Sequence, residues 1–415
     1  MIIKLLTAAF LVLSFPLFAA EPFMAKQDLF KVGDMGYKIF HIPGIVVTAK
    51  GTVLAWCEAR KNGSDWDQID ILLRRSTDDG LTWSAAKNIV SVEGPKKKNP
   101  FALLIKNTDP NTVTYNNPVL IAGKDGTVHM LFCLEYMRAF YQRSTDDGQT
   151  WSKPTEITAA FESFRPVYDW KVLATGPNHS IQLKSGRLVV PVWLSTGTGG
   201  NAHRPSVTAT IYSDDEGMTW KAGEIAVPNT EEWVNPNETV AVELADGGVM
   251  LNVRSESKTH RRLVTVSPDG ATNWSRPRFD ESLLEPICMG GIVRYTKAET
   301  GQKNRLLFSN PHNLSKAKGQ EEAGKSRDRK NLSVKVSYDE GQTWAVNKTV
   351  SPGWSAYSDI AVTQTGTILS FHGAAEEKHH FAGDRLTLCR FNLEWLTDGK
   401  DSTPDGPKAF MPSGE

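Results

Sequence analysis

The stretch RRSTDDGLTW, residues 74–83, decides the fold, because its last eight residues return in near copies along the chain. The copies are STDDGQTW (144–151), SDDEGMTW (213–220), SPDGATNW (267–274, degenerate) and SYDEGQTW (337–344). Each follows a β-branched or aromatic run, such as IDILLRR, RAFYQR, SVTATIY or LSVKV, and precedes a polar stretch. Asp and Ser side chains bond nearby backbone N–H groups, Gly accepts positive φ, and Trp supplies an apolar anchor that folds back over a hairpin. The motif therefore reads as a self-contained turn, and its aspartates as turn formers, not catalysts.

Between the copies lie alternating runs with Gly-containing turns, such as GIVVTAKGTVLAW, SIQLKSGRLVVPVWL and TVAVELADGGVMLNV. These are β-hairpins. Successive motifs start about 55 to 70 residues apart, somewhat more than the ~40 to 50 residues of a propeller blade, which leaves room for loops. Long amphipathic helices and domain linkers are absent. The expected fold class is all-β: one six-bladed β-propeller over residues 25–398, five blades carrying the turn and one lacking it. Residues 399–415 are expected to form a polar, frayed tail, and SKAKGQEEAGKSRDRK (315–330) a charged loop.

The 47 basic and 47 acidic residues leave no net charge, so no global field draws in nucleic acid or an anionic membrane. The N-terminal MIIKLLTAAFLVLSFPLFAA has one early cation, an apolar run and small residues at Ala19 and Ala20. It reads as a signal peptide over residues 1–20, which predicts a secreted or periplasmic protein with no stable membrane insertion after cleavage. Pro16 and the lack of a basic stop-transfer flank argue against an anchor. Cys57, Cys133, Cys288 and Cys389 show no C-x-x-C spacing and read as buried free thiols.

The turns, together with HIPG (41–44), CEAR (57–60), NETVAVELADGG (237–248) and SAYSDIAV (355–362), resemble the sialidase, or neuraminidase, family over nearly the whole chain beyond the leader. The resemblance implies an exo-α-sialidase: a retaining glycosidase that acts on a terminal sialic acid of a glycan or glycoconjugate, with no cofactor and no metal. It places the nucleophile at Tyr357, its helper base at Glu238 and the acid/base at Asp65, with Asp67 and Asp70 as neighbours easily mistaken for the last. It also assigns substrate binding to Arg262, eight residues after Arg254, to Arg329, with Arg327 as competitor, and to Arg60. The chemistry is coherent. A sialoside bears a carboxylate on its anomeric carbon, which repels an anionic nucleophile but not a phenol. A phenol of pKa about 10 needs a base within hydrogen-bond reach, and arginines grip carboxylates bidentately.

The pattern fails at two linked places. His41 stands where the family writes the first carboxylate-binding arginine, and Gly373, preceded by His372, where a supporting glutamate is expected. A His of pKa about 6.5 lacks the bidentate fork and, at neutral pH, most of the charge. Three readings follow: a sialidase with a modified clamp, a glycosidase of the same fold for a uronic or neutral sugar, or a non-catalytic carbohydrate-binding propeller. The cluster EEKHH (376–380) reads as a solvated loop in preference to a metal site, and His179 and His203 as residues edging the pocket without a role. The sequons at Asn237 and Asn331 fall inside site motifs and read as chance matches.

Overall fold

The computed structural model describes residues 20–105, 108–298, 302–315, 324, 327–376 and 383–403. The hairpins assemble into antiparallel sheets of about four strands, arranged as the blades of a propeller. The first blade is Ile39–Val47, Val53–Arg60, Ile69–Ser76 and Lys87–Asn88, and the second Tyr115–Ala122, Val128–Leu134, Arg138–Ser144 and Thr155–Glu156. In the third, the short pieces Val172–Thr175 and Ile181–Gln182 share the inner position beside Leu188–Ser195, followed by Ser206–Ser213 and Lys221–Val227. The fourth is Thr239–Glu243, Val249–Val253, Arg261–Ser267 and Arg278–Leu284. Gly291–Thr296, Arg305–Pro311 and Lys330–Ser337 begin the fifth. The long strand Val346–Val362 pairs with Lys330–Ser337 through its first half and with Ile368–Ala374 through its second, so it ends the fifth blade and starts the sixth.

Arg385–Phe391 continues the sixth blade, and its outermost strand comes from the other end of the chain: Met24–Lys31 pairs with Arg385–Phe391. Backbone hydrogen bonds thus join the two ends of the chain. The core is divided among the blade interfaces. Leu54, Trp56 and Ile71 of the first blade pack with Leu120, Met130 and Phe132 of the second, and Phe371 and Leu388 of the sixth pack with Ile45 and Val53 of the first. Near the inner ends, the Asp359 carboxylate accepts the backbone N–H groups of Ile45 (3.0 Å) and His179 (3.1 Å) and faces His179 Nδ1 at 2.7 Å. One side chain therefore ties the first and sixth blades to the short strand Asn178–His179, which pairs with Tyr115–Ala122 of the second.

The repeated motif joins the third and fourth strands of the first five blades; the sixth has Asn392 and the helical turn Leu393–Leu396 there instead. In the first copy Ser76 Oγ donates to Asp78 Oδ1 (2.7 Å) and accepts the Gly80 N–H (2.9 Å). The Asp78 carboxylate accepts the Thr82 N–H (2.9 Å) and hydroxyl (2.6 Å). These donors hold the carboxyls of Asp78 and Asp146 down to about 2. The turn also reaches outward. A Cβ on Gly217, whose φ is +85°, would sit 2.4 Å from the Tyr141 hydroxyl of the blade before it. Arg75 of the first blade donates to the Asp147 carbonyl at 2.9 Å, and Arg390 of the sixth to the Asp79 carbonyl at 2.8 Å.

The frayed tail needs correction. Gly399 and Lys400 are exposed, but the chain docks at 401–403: Asp401 takes two hydrogen bonds of 2.7 Å from buried Arg305, and Thr403 meets the Tyr295 hydroxyl at 3.2 Å. Burying Arg305 requires a carboxylate partner, and Asp401 supplies it. Residues 1–19 and 404–415 lie outside the described residues, as do most of 315–330 and His379 and His380 of the EEKHH run. Of that run Glu376 is described, paired with Arg385 at 3.2 Å. All four cysteines are buried and free.

Candidate active site

The inner strands are irregular at matching places. The pairing shifts between His41 and Gly44, between Asn116 and Val119, and between Ser355 and Ser358, and Ile42 and Asn117 adopt positive φ there. Bulges of this kind re-aim side chains next to active sites. Here they turn His41, Asn117 and Tyr357 into a common cavity of about 220 Å³ lined by side chains from all six blades.

Tyr357 and Glu238 meet in it. The Tyr357 hydroxyl donates to Glu238 Oε1 at 2.6 Å, although the residues are 119 positions apart. Arg254 donates to the Tyr357 oxygen at 2.7 Å and pairs with Glu238 Oε2. Burial pushes the Tyr357 phenol well above its ordinary value, and Glu238 adds to this, against the lowering pull of Arg254 and Arg329. At neutral pH the oxygen therefore keeps its proton until a base removes it, and Glu238 is in place to do so.

Asp65 lines the same cavity and is about one-third exposed. Arg60 Nη1 holds it at 2.6 Å, and the other side of that guanidinium is fixed by buried Glu58 at 2.6 and 3.0 Å. Arg60 therefore positions Asp65 as well as lining the wall. Asp67 and Asp70 point elsewhere, to Asn62 and to Tyr37. Behind Asp65, Trp66, Tyr136, Trp193 and His203 pack ring to ring with centroids 4.7 to 6.2 Å apart. Tyr136, Trp193 and His203 reach the cavity.

Arg329 lines the cavity and donates to the Ile287 carbonyl at 2.5 Å, with its guanidinium 5.2 Å from the centre of the Tyr357 ring. His41 also lines it, buried, its ring centroid 4.4 Å from that of Tyr357. Neither His372 nor Gly373 is among the lining residues. His203 edges the cavity as expected, while His179 is taken by Asp359.

Arg262 is the correction. It is fully buried inside the fourth blade, with Nε on Asn252 (2.6 Å), Nη1 on Glu285 (2.6 Å) and Nη2 on the Asn252 carbonyl (2.9 Å). Its fork is consumed by the fold. The cavity arginine on this blade is Arg254, and hairpin arithmetic identifies it: Thr239 pairs with Val253, so the next cross-strand partner of Glu238 is Arg254. Arg204 and Glu256 are further cavity residues without a sequence signal of their own. They meet through hydrogen bonds of 2.8 and 2.5 Å between residues 52 positions apart.

The family model described as BNR repeat-like domain matches residues 105–369. A sialidase of Micromonospora viridifaciens is 31% identical over 393 residues, an alignment covering 91% of this chain and 55% of the relative. The chain thus spans about half the length of that relative. Among solved structures, the Hadza microbial sialidase Hz136 superposes with a TM-score of 0.69 at 23% identity, covering 89% of this chain and 69% of that one. The Trypanosoma rangeli sialidase in complex with 2,3-difluorosialic acid, a covalent intermediate, gives 0.66 at 20% identity, covering 91% and 60%. At these identities the structures establish a shared propeller fold. With its repeated turns, its ring of blades and these matches, the chain belongs to the BNR repeat-like domain family and is a homologue of the sialidases.

Proposed function

We propose that this protein is a retaining exo-α-sialidase that removes terminal sialic acid from glycans through a tyrosine nucleophile. The observation that carries the reading is the 2.6 Å hydrogen bond between the Tyr357 phenol and Glu238 in a cavity that also holds Asp65 and several guanidinium groups. In the first step the Tyr357 oxygen attacks the anomeric carbon while its proton passes to Glu238, and Asp65 protonates the departing glycosidic oxygen. In the second, Asp65 takes a proton from water, the water oxygen displaces the phenol at the same carbon, and Glu238 returns the proton to Tyr357. Two inversions give retention. Arg254 sits where negative charge builds on the phenol oxygen and stabilises it as the proton leaves.

Hydrolysis of an aryl α-sialoside by wild type and Tyr357→Phe tests the reading, with labelling by 2,3-difluorosialic acid followed by intact mass. The expected results are turnover and one covalent adduct in wild type, and a loss of about 10³-fold or more in the variant, which keeps the fold because only one oxygen is removed. Equal rates in the two proteins would refute the assignment. A second reading has its own observation: His41 occupies the wall beside Tyr357 with a ring instead of a guanidinium fork. It predicts that a uronide or neutral aryl glycoside is turned over faster than the sialoside.

A further inference from the structure

The cavity holds a cation that the assignments above leave unused. Arg327 and Arg329 flank Asp328 in the segment entering the strand Lys330–Ser337, and alternate residues of an extended chain face the same way. Asp328 is buried on the other side, where its carboxylate accepts from Ser315 Oγ at 2.9 Å, while both arginines line the cavity. Glu256 anchors this segment: its backbone carbonyl accepts the Gly324 N–H at 2.9 Å.

The charges around Arg327 do not cancel. Its guanidinium lies 3.8 Å from Glu256, beyond hydrogen-bond range, and that carboxylate already accepts two bonds from Arg204 and one of 3.0 Å from Asn235. Burial and the like charges of Arg254 and Arg329 lower the Arg327 guanidinium to about 10, with Glu256 and Tyr357 pulling the other way. The guanidiniums of Arg254 and Arg329 repel that of Arg327 across the cavity they share, and a bound anion relieves that repulsion.

We propose that Arg327 is a specificity residue: together with Arg254 and Arg329 it grips the carboxylate of the sugar, supplying the third guanidinium at a cavity where His41 offers none. This rests on the sialidase reading of the cavity and adds the residue that takes the third place on the sugar carboxylate. The ring of His41, tilted 47° against that of Tyr357, then serves to wall the nucleophile and leaves the fork to the strap 327–329.

The test measures calorimetric affinity of the intact protein for the 2,3-unsaturated glycal of N-acetylneuraminic acid and for the same molecule with its carboxylate reduced to an alcohol. In Arg327→Gln the carboxylate ligand is expected to weaken about tenfold or more and the alcohol by less than about threefold, since only the first carries a charge for the fork. Arg327→Lys, which keeps charge without the fork, is expected to fall between wild type and Arg327→Gln. Equal weakening of both ligands, matched by Glu256→Gln, would mean that Arg327 only props Glu256, and unchanged carboxylate affinity would remove it from recognition. Either result overturns this inference while sialoside turnover and its dependence on Tyr357 stand. Failure of wild type to bind either ligand overturns both readings.

Discussion

Arg254 and Arg262 occupy one hairpin, carry the same guanidinium and do opposite work, because the two strands present them to different surroundings. Arg262 is spent on Glu285, whose carboxyl burial raises and Arg262 lowers. Removing one member of a buried pair strands the other as an uncompensated charge, typically at a cost of about 3–5 kcal/mol. Arg262→Met is therefore expected to lower stability by that order in chemical denaturation while the folded protein keeps its affinity for the carboxylate glycal. A large affinity loss at unchanged stability would return Arg262 to the site. Asp65, Glu238 and Tyr357 could be singled out from the sequence as candidate site residues because the family-like motifs around them are local, and all three line the cavity. The choice between neighbouring arginines was not, since it depends on which face of a strand meets the cavity.

At the scale of the element, the eight-residue turn closes its own hairpin and also rivets adjacent blades. Asp, Ser and Thr make the internal bonds, which the sequence pattern discloses. The contact with the preceding blade is made by the glycine and by the backbone carbonyl beside it, neither of which carries a side chain to advertise a partner. Gly217→Ala forces an L residue to φ +85° and sets its Cβ against Tyr141. Strain and overpacking together are expected to cost about 2–4 kcal/mol. Thermal unfolding reads this, and kcat should not change because the turn lies outside the cavity-lining set. A melting temperature equal to wild type would show that the blades do not depend on this contact.

Over the whole molecule, stability is tied to how the ring buries its titratable groups. His372 is held down to about 3 by burial, with Lys26 adding to the effect, and burial holds His129 and His312 at about 4. In the unfolded chain these imidazoles protonate near pH 6.5, so acid favours unfolding from about pH 6.5 down to the folded values, at about 1.4 kcal/mol per unit for each group. His179 has the opposite sign. Burial lowers it, but Asp359 outweighs burial and leaves it raised, so its contribution is complete below about 6.5 and is lost as pH rises through the folded value. Burial lowers His203 as well, and because four imidazoles oppose one, the melting temperature is expected to fall between pH 7 and pH 4.5. His372→Gln should flatten that fall, and parallel profiles for the two proteins would exclude His372 as a source.

The sequence by itself determined the β hairpins, the repeating turn and the number of blades, because periodicity and turn chemistry act over a few residues, and its family-like motifs pointed to Tyr357, Glu238 and Asp65 as candidates. Only the tertiary structure decided that Met24–Lys31 completes the last blade, that residues 401–403 dock, and that Arg254 and Arg327, and not Arg262, line the cavity. Those outcomes depend on contacts between residues tens to hundreds of positions apart, and what fixes them is the closure of the ring, which sets the charge and burial each side chain meets.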